Sequence, residues 1–205
     1  MKKNVLILFI FIIAAMGMPS AVHAIETASQ VLDKCFAKLN SAPSLNVNFV
    51  LKFGEKTSTC TMIVEREKFR LASNEMEVWY DGMTQWTYVG ASQELSITEP
   101  TDDELLESNP FTILNNYMQS YNCRRIDGQE LQIELIAKNK RQAVRKAVIT
   151  IDPATTLPSK LIVTMRNGQF FFVDISSIER GKSLPESTFI YDEKKYPAKE
   201  INDLR

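Results

Sequence analysis

Beyond Pro43 the apolar residues of this chain recur at every second position, and this period of two limits the possible folds more than any other feature. Short alternating segments follow one another, separated by turns such as Asp81-Gly82 and Asn167-Gly168. Strands so close in sequence must pair in an antiparallel way, because a parallel pair needs a long crossover. The predicted strands lie at 47–53, 59–64, 69–72, 76–80, 85–89, 93–98, 131–137, 146–151, 160–165, 170–175 and 189–191.

Two segments have helical spacing instead. Residues 25–39 form a predicted amphipathic helix that Pro43 closes, and a short acidic turn at 101–104 precedes a second predicted helix at 111–121. Long antiparallel sheets curl into barrels or sandwiches that hide their edges. The sequence therefore predicts a mainly β protein, an unclosed antiparallel β-barrel of about 10–11 strands covered by a few α-helices.

The first 24 residues have the pattern of a cleavable secretory signal peptide. Lys2 and Lys3 supply the positive start, an apolar run covers 4–18, and Val22-His23-Ala24 places small residues at the cleavage site. The apolar run is shorter than the roughly 18–25 residues of a membrane-spanning helix. We therefore expect residues 25–205 to form a single domain that works outside the cytoplasm.

Composition excludes several classes of function. Removing Lys2 and Lys3 from the 24 Lys and Arg leaves 22 against 25 Asp and Glu, and this balance disfavours nucleic acid as a partner. The single histidine, His23, is removed with the signal peptide. The mature chain therefore has no histidine for a catalytic triad or a metal site. The acidic cluster at 102–107 is more typical of a capped helix start than of a metal site. We expect no cofactor, no metal and no enzymatic activity.

The three cysteines, Cys35, Cys60 and Cys123, are far apart and form no C-x-x-C motif. Either two of them pair in an oxidising compartment, or all three are small buried apolar residues. Sequence spacing leaves both interpretations open, because a disulfide requires a specific geometry.

Arg66 and the run Phe170-Phe171-Phe172 each allow two interpretations. Arg66 follows Met62 and Val64 on the apolar face of a strand, and strict alternation would place its guanidinium inside, where a charge needs a partner. Alternatively, the strand ends near Glu65 and Arg66 turns to solvent. The three phenylalanines cannot share one face, so either both faces are covered there or one ring is left for a ligand or a covering helix.

Several short motifs recur in one known family. They are Val64-Glu65-Arg66 with Phe69, Trp79-Tyr80-Asp81-Gly82 with Trp86-Thr87-Tyr88, Asn109-Pro110-Phe111 with Leu114, and the ending Ile201-Asn202-Asp203-Leu204-Arg205. Together they make the chain resemble the periplasmic outer-membrane lipoprotein carriers, the LolA-like proteins. The resemblance implies an unclosed barrel with a helical lid over a hydrophobic cavity for acyl chains. It also gives Arg66 the role of the arginine that locks the lid in the empty form.

The resemblance implies a periplasmic carrier that moves lipoproteins from the inner to the outer membrane, and the lack of any long linker or repeat in the sequence favours a monomer. Its partners would be acylated lipoproteins, an inner-membrane release complex and an outer-membrane acceptor. An envelope lipid sensor of the same fold would need the same cavity, and an enzyme on this scaffold is a further alternative. As cavity residues we predict Phe49, Leu51, Met62, Val64, Trp86 and Tyr88, with Leu114 and Tyr117 on the lid. Replacing Phe49 with glutamate is expected to abolish cargo binding and leave the fold intact.

Overall fold

The computed structural model describes residues 26–114 and 117–205. The predicted signal peptide lies outside this range, so its cleavage stays a prediction. Among the helices that are described, none has the length and apolar character needed to cross a membrane.

The described residues form one sheet that does not close on itself. Its strands follow the order β12-β6-β5-β4-β3-β2-β1-β11-β10-β9-β8-β7, so β12 and β7 are the two edges. Neighbouring strands are antiparallel, except that β12 pairs with β6 in parallel. This is the mainly β, unclosed architecture that the alternating segments predict. The strands are β1 (Ser44–Phe53), β2 (Lys56–Glu65), β3 (Lys68–Ser73), β4 (Met76–Tyr80), β5 (Gln85–Val89), β6 (Glu94–Thr98), β7 (Tyr121–Ile126), β8 (Leu131–Ala137), β9 (Val144–Asp152), β10 (Leu157–Met165), β11 (Phe170–Gly181) and β12 (Glu200–Asp203).

Capping residues define where the two longer helices begin. Helix α1 (Ala28–Leu39) starts at Thr27, whose side chain accepts a hydrogen bond from the backbone N–H of Gln30 while the Gln30 side chain accepts one from Thr27. The same arrangement of Thr101 and Glu104 starts α2 (Asp102–Ser108), where the sequence indicated only an acidic turn.

The segment after α2 differs from its prediction. Instead of one helix over 111–121, a 3-10 helix (Pro110–Leu114) is followed by the short helix α3 (Tyr117–Ser120). The helix ends there because Tyr121 begins β7, which pairs with β8. We call α2, this 3-10 helix and α3 together the lid.

The sequence predictions missed two strands, β7 and β12, and placed a strand at 189–191 where none forms. Strand β7 was not predicted, because Arg125 occupies an inward-facing position and interrupts the apolar alternation of the strand. The C-terminal strand is β12, a short edge strand with a single apolar residue, Ile201. The predicted strand at 189–191 is instead the end of a 3-10 helix, Glu186–Phe189, followed by extended chain.

The inner face of the sheet carries most of the core. Cross-strand pairs such as Phe49 with Cys60 and Met62 with Leu71 lie on this face and are buried. Helix α1 and the lid cover the inner face with further apolar side chains: Ala28, Val31, Leu32, Cys35, Leu105, Leu106, Ile113 and Tyr117. Burial of this continuous apolar surface holds the helices on the sheet.

A second, smaller core lies on the outer face. Trp79, Tyr88 and Leu95 are buried there beneath the C-terminal segment, which contributes Tyr191 and Tyr196. Both faces of the sheet are therefore covered at β4–β6, and the apolar side of β5 is its outer side.

Candidate functional site

An open groove of about 1410 Å³ lies between the inner face of the sheet and the helices. Its volume exceeds the roughly 300–1,000 Å³ of ordinary small-molecule pockets. Apolar side chains line the groove from the strands, from α1 and from the lid, and polar ones, among them Asp33, Asn40, Asn109 and Thr112, lie between them. The apolar ones are Leu45, Val47, Val64, Phe69, Phe36, Leu39, Leu105, Leu106, Phe111 and Ile113.

Polar and charged residues gather where the groove opens. Arg66 and Glu67 come from the β2–β3 turn, Asp102 from the start of α2, and Gln119 and Gln142 from the opposite side. An apolar interior with a polar opening suits an amphipathic molecule that buries a chain and leaves its polar end near water.

A separate cavity of about 40 Å³ lies on the same face under the lid. Phe49, Leu51 and Leu71 line it from the sheet, and Pro110 lines it from the lid. The ring of Phe111, which also lines the large groove, packs edge-on against Phe49 with 5.5 Å between ring centroids. The lid thus covers an apolar part of the inner face that adjoins the groove.

Side-chain hydrogen bonds hold the lid at both of its ends. The Tyr117 hydroxyl donates a hydrogen bond to Oδ1 of Asp33 on α1 over 2.8 Å, and its ring lies 5.0 Å from that of Phe36. Burial, together with the hydrogen bond to the Asp33 carboxylate, raises the pKa of Tyr117 well above its ordinary value. At the other end of the lid, the Ser108 hydroxyl donates to Oε1 of Gln85 over 2.7 Å.

Of the eight predicted cavity and lid residues, five lie at the inner side, four on the sheet and Tyr117 on the lid. Val64 and Tyr117 line the groove, whereas Phe49 and Leu51 line the small cavity. Met62 lies on the same face but is fully buried between neighbouring strands. The side chain of the sixth, Leu114, lies outside the described part of the structure.

Trp86 and Tyr88 do not line the groove, and this corrects their predicted placement. Trp86 is directly opposite Trp79 on the outer face, and the Tyr88 hydroxyl donates to the carbonyl oxygen of Pro197 over 3.2 Å. The prediction assumed that the apolar side of every strand faces the interior. At β5 the C-terminal segment makes the outer side the buried one.

Arg66 lies in the turn between β2 and β3, exposed, with a φ of 56°. The alternation stops at Glu65, whose carboxylate accepts hydrogen bonds from the Ser183 hydroxyl and the Leu184 N–H, which lower its pKa. Arg66 is therefore not an inward-facing strand residue, and the interpretation that the strand ends near Glu65 is correct. A lid-locking role for Arg66 stays a prediction, now from a position at the opening of the groove.

The phenylalanine run divides between the two faces of β11. Phe171 is buried on the inner face, opposite Phe53 and Val163. Phe170 and Phe172 point outward and are exposed, with their rings in an edge-to-face pair at 5.5 Å. Neither outward ring is available to a ligand in the groove.

Sequence reasoning missed Phe36, Leu39, Leu105 and Phe111, which line the groove from the helices. The helical spacing of apolar residues in 25–39 was recognised, but it does not distinguish a side chain that packs on the sheet from one that faces a groove.

All three cysteines are free thiols. Cys35 and Cys60 are buried in the inner core, and burial raises the pKa of Cys35 to about 12. Cys123 lies on β7 with its sulfur 3.3 Å from the Ser29 hydroxyl oxygen. Among the described residues, no three His, Cys, Asp or Glu side chains are grouped to hold a metal ion.

An open antiparallel sheet with helices over an apolar groove defines a LolA-like half-barrel. A sequence model of the family described as outer membrane lipoprotein carrier protein LolA matches residues 19–169. The chain therefore belongs to this family. No match was found among curated proteins.

Solved structures are similar to this chain at low sequence identity, and the first one described here shares its fold. An uncharacterized conserved protein from Thermus thermophilus has a TM-score of 0.56 and 10% identity, with 86% of this chain and 98% of that chain covered. A LolA superfamily protein from Nitrosomonas europaea has a TM-score of 0.46 and 12% identity, over 82% and 99%. MucB, in its complex with MucA from Pseudomonas aeruginosa, has a TM-score of 0.48 and 18% identity, over 82% and 62%.

Proposed function

We propose that this protein binds the acyl chains of lipoproteins in the groove and carries them from the inner to the outer membrane. The observation that carries this proposal is the groove itself, about 1410 Å³ in volume, which many apolar side chains line and which has charged residues at its opening. Each methylene that leaves water for such a site contributes about 0.8 kcal/mol. One acyl chain therefore supplies enough free energy for tight binding without any catalytic group.

Membership of a family described as lipoprotein carriers supports the same cargo. The expected signal peptide supports a periplasmic location, where an inner-membrane complex would load the protein and an outer-membrane acceptor would unload it. The function proposed is one of binding and release, with no chemical step.

The lid suggests how the protein takes up and releases a chain. Displacing the lid would uncover Phe49, Leu51 and Leu71 and extend the apolar floor of the groove. The Tyr117–Asp33 and Ser108–Gln85 hydrogen bonds would be lost, at a cost of about 1 kcal/mol each. Arg66, at the opening, would add a further contact to the closed form.

Site-specific photo-crosslinking in cells tests this proposal. A photoreactive residue at Val64, on the groove wall, should yield adducts with acylated lipoproteins that mass spectrometry identifies. The same residue at Phe172, an exposed position on the outer face, is the matched control and should yield none. Free lipid alone at Val64 would indicate an envelope lipid sensor instead of a carrier. The absence of any adduct from folded protein would overturn both.

A further inference from the structure

Positive charge is concentrated at one end of the molecule although the whole chain is nearly neutral. No Asp or Glu occurs between Glu134 and Asp152, or between Asp152 and Asp174, whereas the first stretch contains five Lys and Arg residues and the second contains two. Five exposed cations from these stretches form what we call the basic rim: Lys138, Lys140, Arg141, Arg145 and Arg166.

Backbone contacts bring the two stretches together. The Arg166 guanidinium donates to the carbonyl oxygen of Gln142 over 3.0 Å and to that of Asn139 over 3.3 Å, which joins the β10–β11 turn to the β8–β9 loop. The Lys138 ammonium donates to the carbonyl oxygen of Met118 over 2.6 Å, which joins the loop to the lid. The basic rim is therefore one surface.

This surface borders the opening of the groove. Gln142 and Val144, from the same hairpin, line the groove, as does Met118 of the lid. Two large apolar side chains near the basic rim are also exposed, Met118 at 58% and Phe170 at 51%. Across the opening lie Arg66, Glu67 and Asp102, so the charge there is mixed, whereas the basic rim is uniformly positive.

Within the described part of the chain, none of the five cations forms an ion pair. We propose that the basic rim binds the anionic headgroups of a phospholipid bilayer and so holds the opening of the groove against the membrane. Exposed cationic side chains spread over one surface suit a diffuse layer of phosphates, and exposed apolar residues beside them suit the bilayer interface.

The attraction arises from charge alone and does not require acyl cargo, so protein without cargo should show it. The test is co-sedimentation of cargo-free mature protein with vesicles of phosphatidylcholine, with or without about a third phosphatidylglycerol. Binding is expected only to the anionic vesicles and should weaken as salt screens the charges. The triple variant Lys140→Gln, Arg141→Gln, Arg145→Gln should lower the partition coefficient by about tenfold or more.

A matched control carries the same change of net charge elsewhere. The triple variant Lys194→Gln, Lys195→Gln, Lys199→Gln alters exposed lysines of the C-terminal segment and should bind anionic vesicles like the unaltered protein. Equal loss in the two variants, or equal binding to neutral and anionic vesicles, would overturn the proposal. Tighter binding to polyglutamate than to anionic vesicles would also overturn it and indicate an acidic protein partner. Acyl-chain binding by the first variant should be unchanged, so this result is separate from the carrier proposal.

Discussion

The Tyr117 hydroxyl is the side-chain group through which the lid reaches α1. It donates to Asp33, while its ring contacts Phe36. Because Asp33 is exposed, water can replace the hydroxyl as its partner, so the bond is of ordinary strength.

Tyr117→Phe should therefore lower the free energy of unfolding by only about 1 kcal/mol, while lid amides exchange with solvent faster. Hydrogen exchange measured by mass spectrometry, with urea unfolding, checks both. Asp33→Ala should have the same effect, and the double variant should add little to either single one. Strictly additive effects of the two substitutions would show that this bond does not hold the lid.

Glu134 is a buried carboxylate on the outer face, 3% exposed, between Arg124 and Lys146. Hydrogen bonds from Arg124 and then Lys146 lower its pKa below the ordinary value near 4.5. Because its pKa is lowered in the folded state, Glu134 stabilises the folded protein at pH values above its ordinary pKa. This stabilisation is lost as the pH falls through the folded-state pKa.

Glu134→Gln should lower the free energy of unfolding by about 1–2 kcal/mol at neutral pH, since its partners are partly solvated. The difference from the unaltered protein should shrink on acidification. Urea unfolding at neutral and acidic pH checks this, and a difference that grows in acid would contradict it.

The burial of Phe49 affects how the variant Phe49→Glu can be used as a test. Its ring is 1% exposed and packs on Phe111, so a glutamate there would bury a charge without a partner. Phe49→Glu is therefore expected to destabilise the fold as well, so a loss of cargo binding in this variant would not by itself identify a cavity residue. Phe36, half-buried on the groove wall, is the better position.

At the scale of elements, the C-terminal segment closes the outer face. Tyr196 accepts a hydrogen bond from Arg70 over 2.8 Å and donates one to Glu77 over 3.0 Å, and its ring lies 4.8 Å from that of Trp79. Backbone hydrogen bonds from Lys199 to Gln93 and along β12 fix the segment on the edge of β6.

Tyr196→Ala should destabilise the protein by about 2–3 kcal/mol and shift tryptophan fluorescence to longer wavelength as water reaches Trp79. Tyr196→Phe keeps the ring and should lose only about 1 kcal/mol with little spectral change. Urea unfolding followed by fluorescence distinguishes the two. An unchanged spectrum in the alanine variant would mean that the segment does not shield the cluster.

Sequence patterns predicted β1–β6 and β8–β11 because each alternates apolar and polar residues against a covered face. They missed β7 and β12, because these edge strands form through pairing with β8 and β6 and lack a regular apolar alternation of their own. The same limit explains Trp86 and Tyr88. A period of two reveals two faces, but only the tertiary position of the C-terminal segment decides which face is inside.

At the scale of the whole molecule, the open sheet leaves a groove that a closed barrel would fill with its own side chains. Val64 could be placed on the groove wall from sequence because its strand alternates regularly up to Glu65. The position of Arg66 could not be predicted in this way, because Arg66 lies in the turn after β2 and alternation does not reveal the backbone conformation of that turn. The groove depends on how far the helices stand from the sheet, which no local pattern encodes.

The central claim is that the groove holds acyl chains, and the most direct test is the affinity of the purified mature protein for a triacylated lipopeptide. Phe36→Glu places a charge on the groove wall and should weaken binding by at least about tenfold, or ~1.4 kcal/mol. Phe172→Glu, the same change on the outer face, should bind like the unaltered protein. Equal affinity of all three folded proteins, or no binding by any of them, would contradict the account.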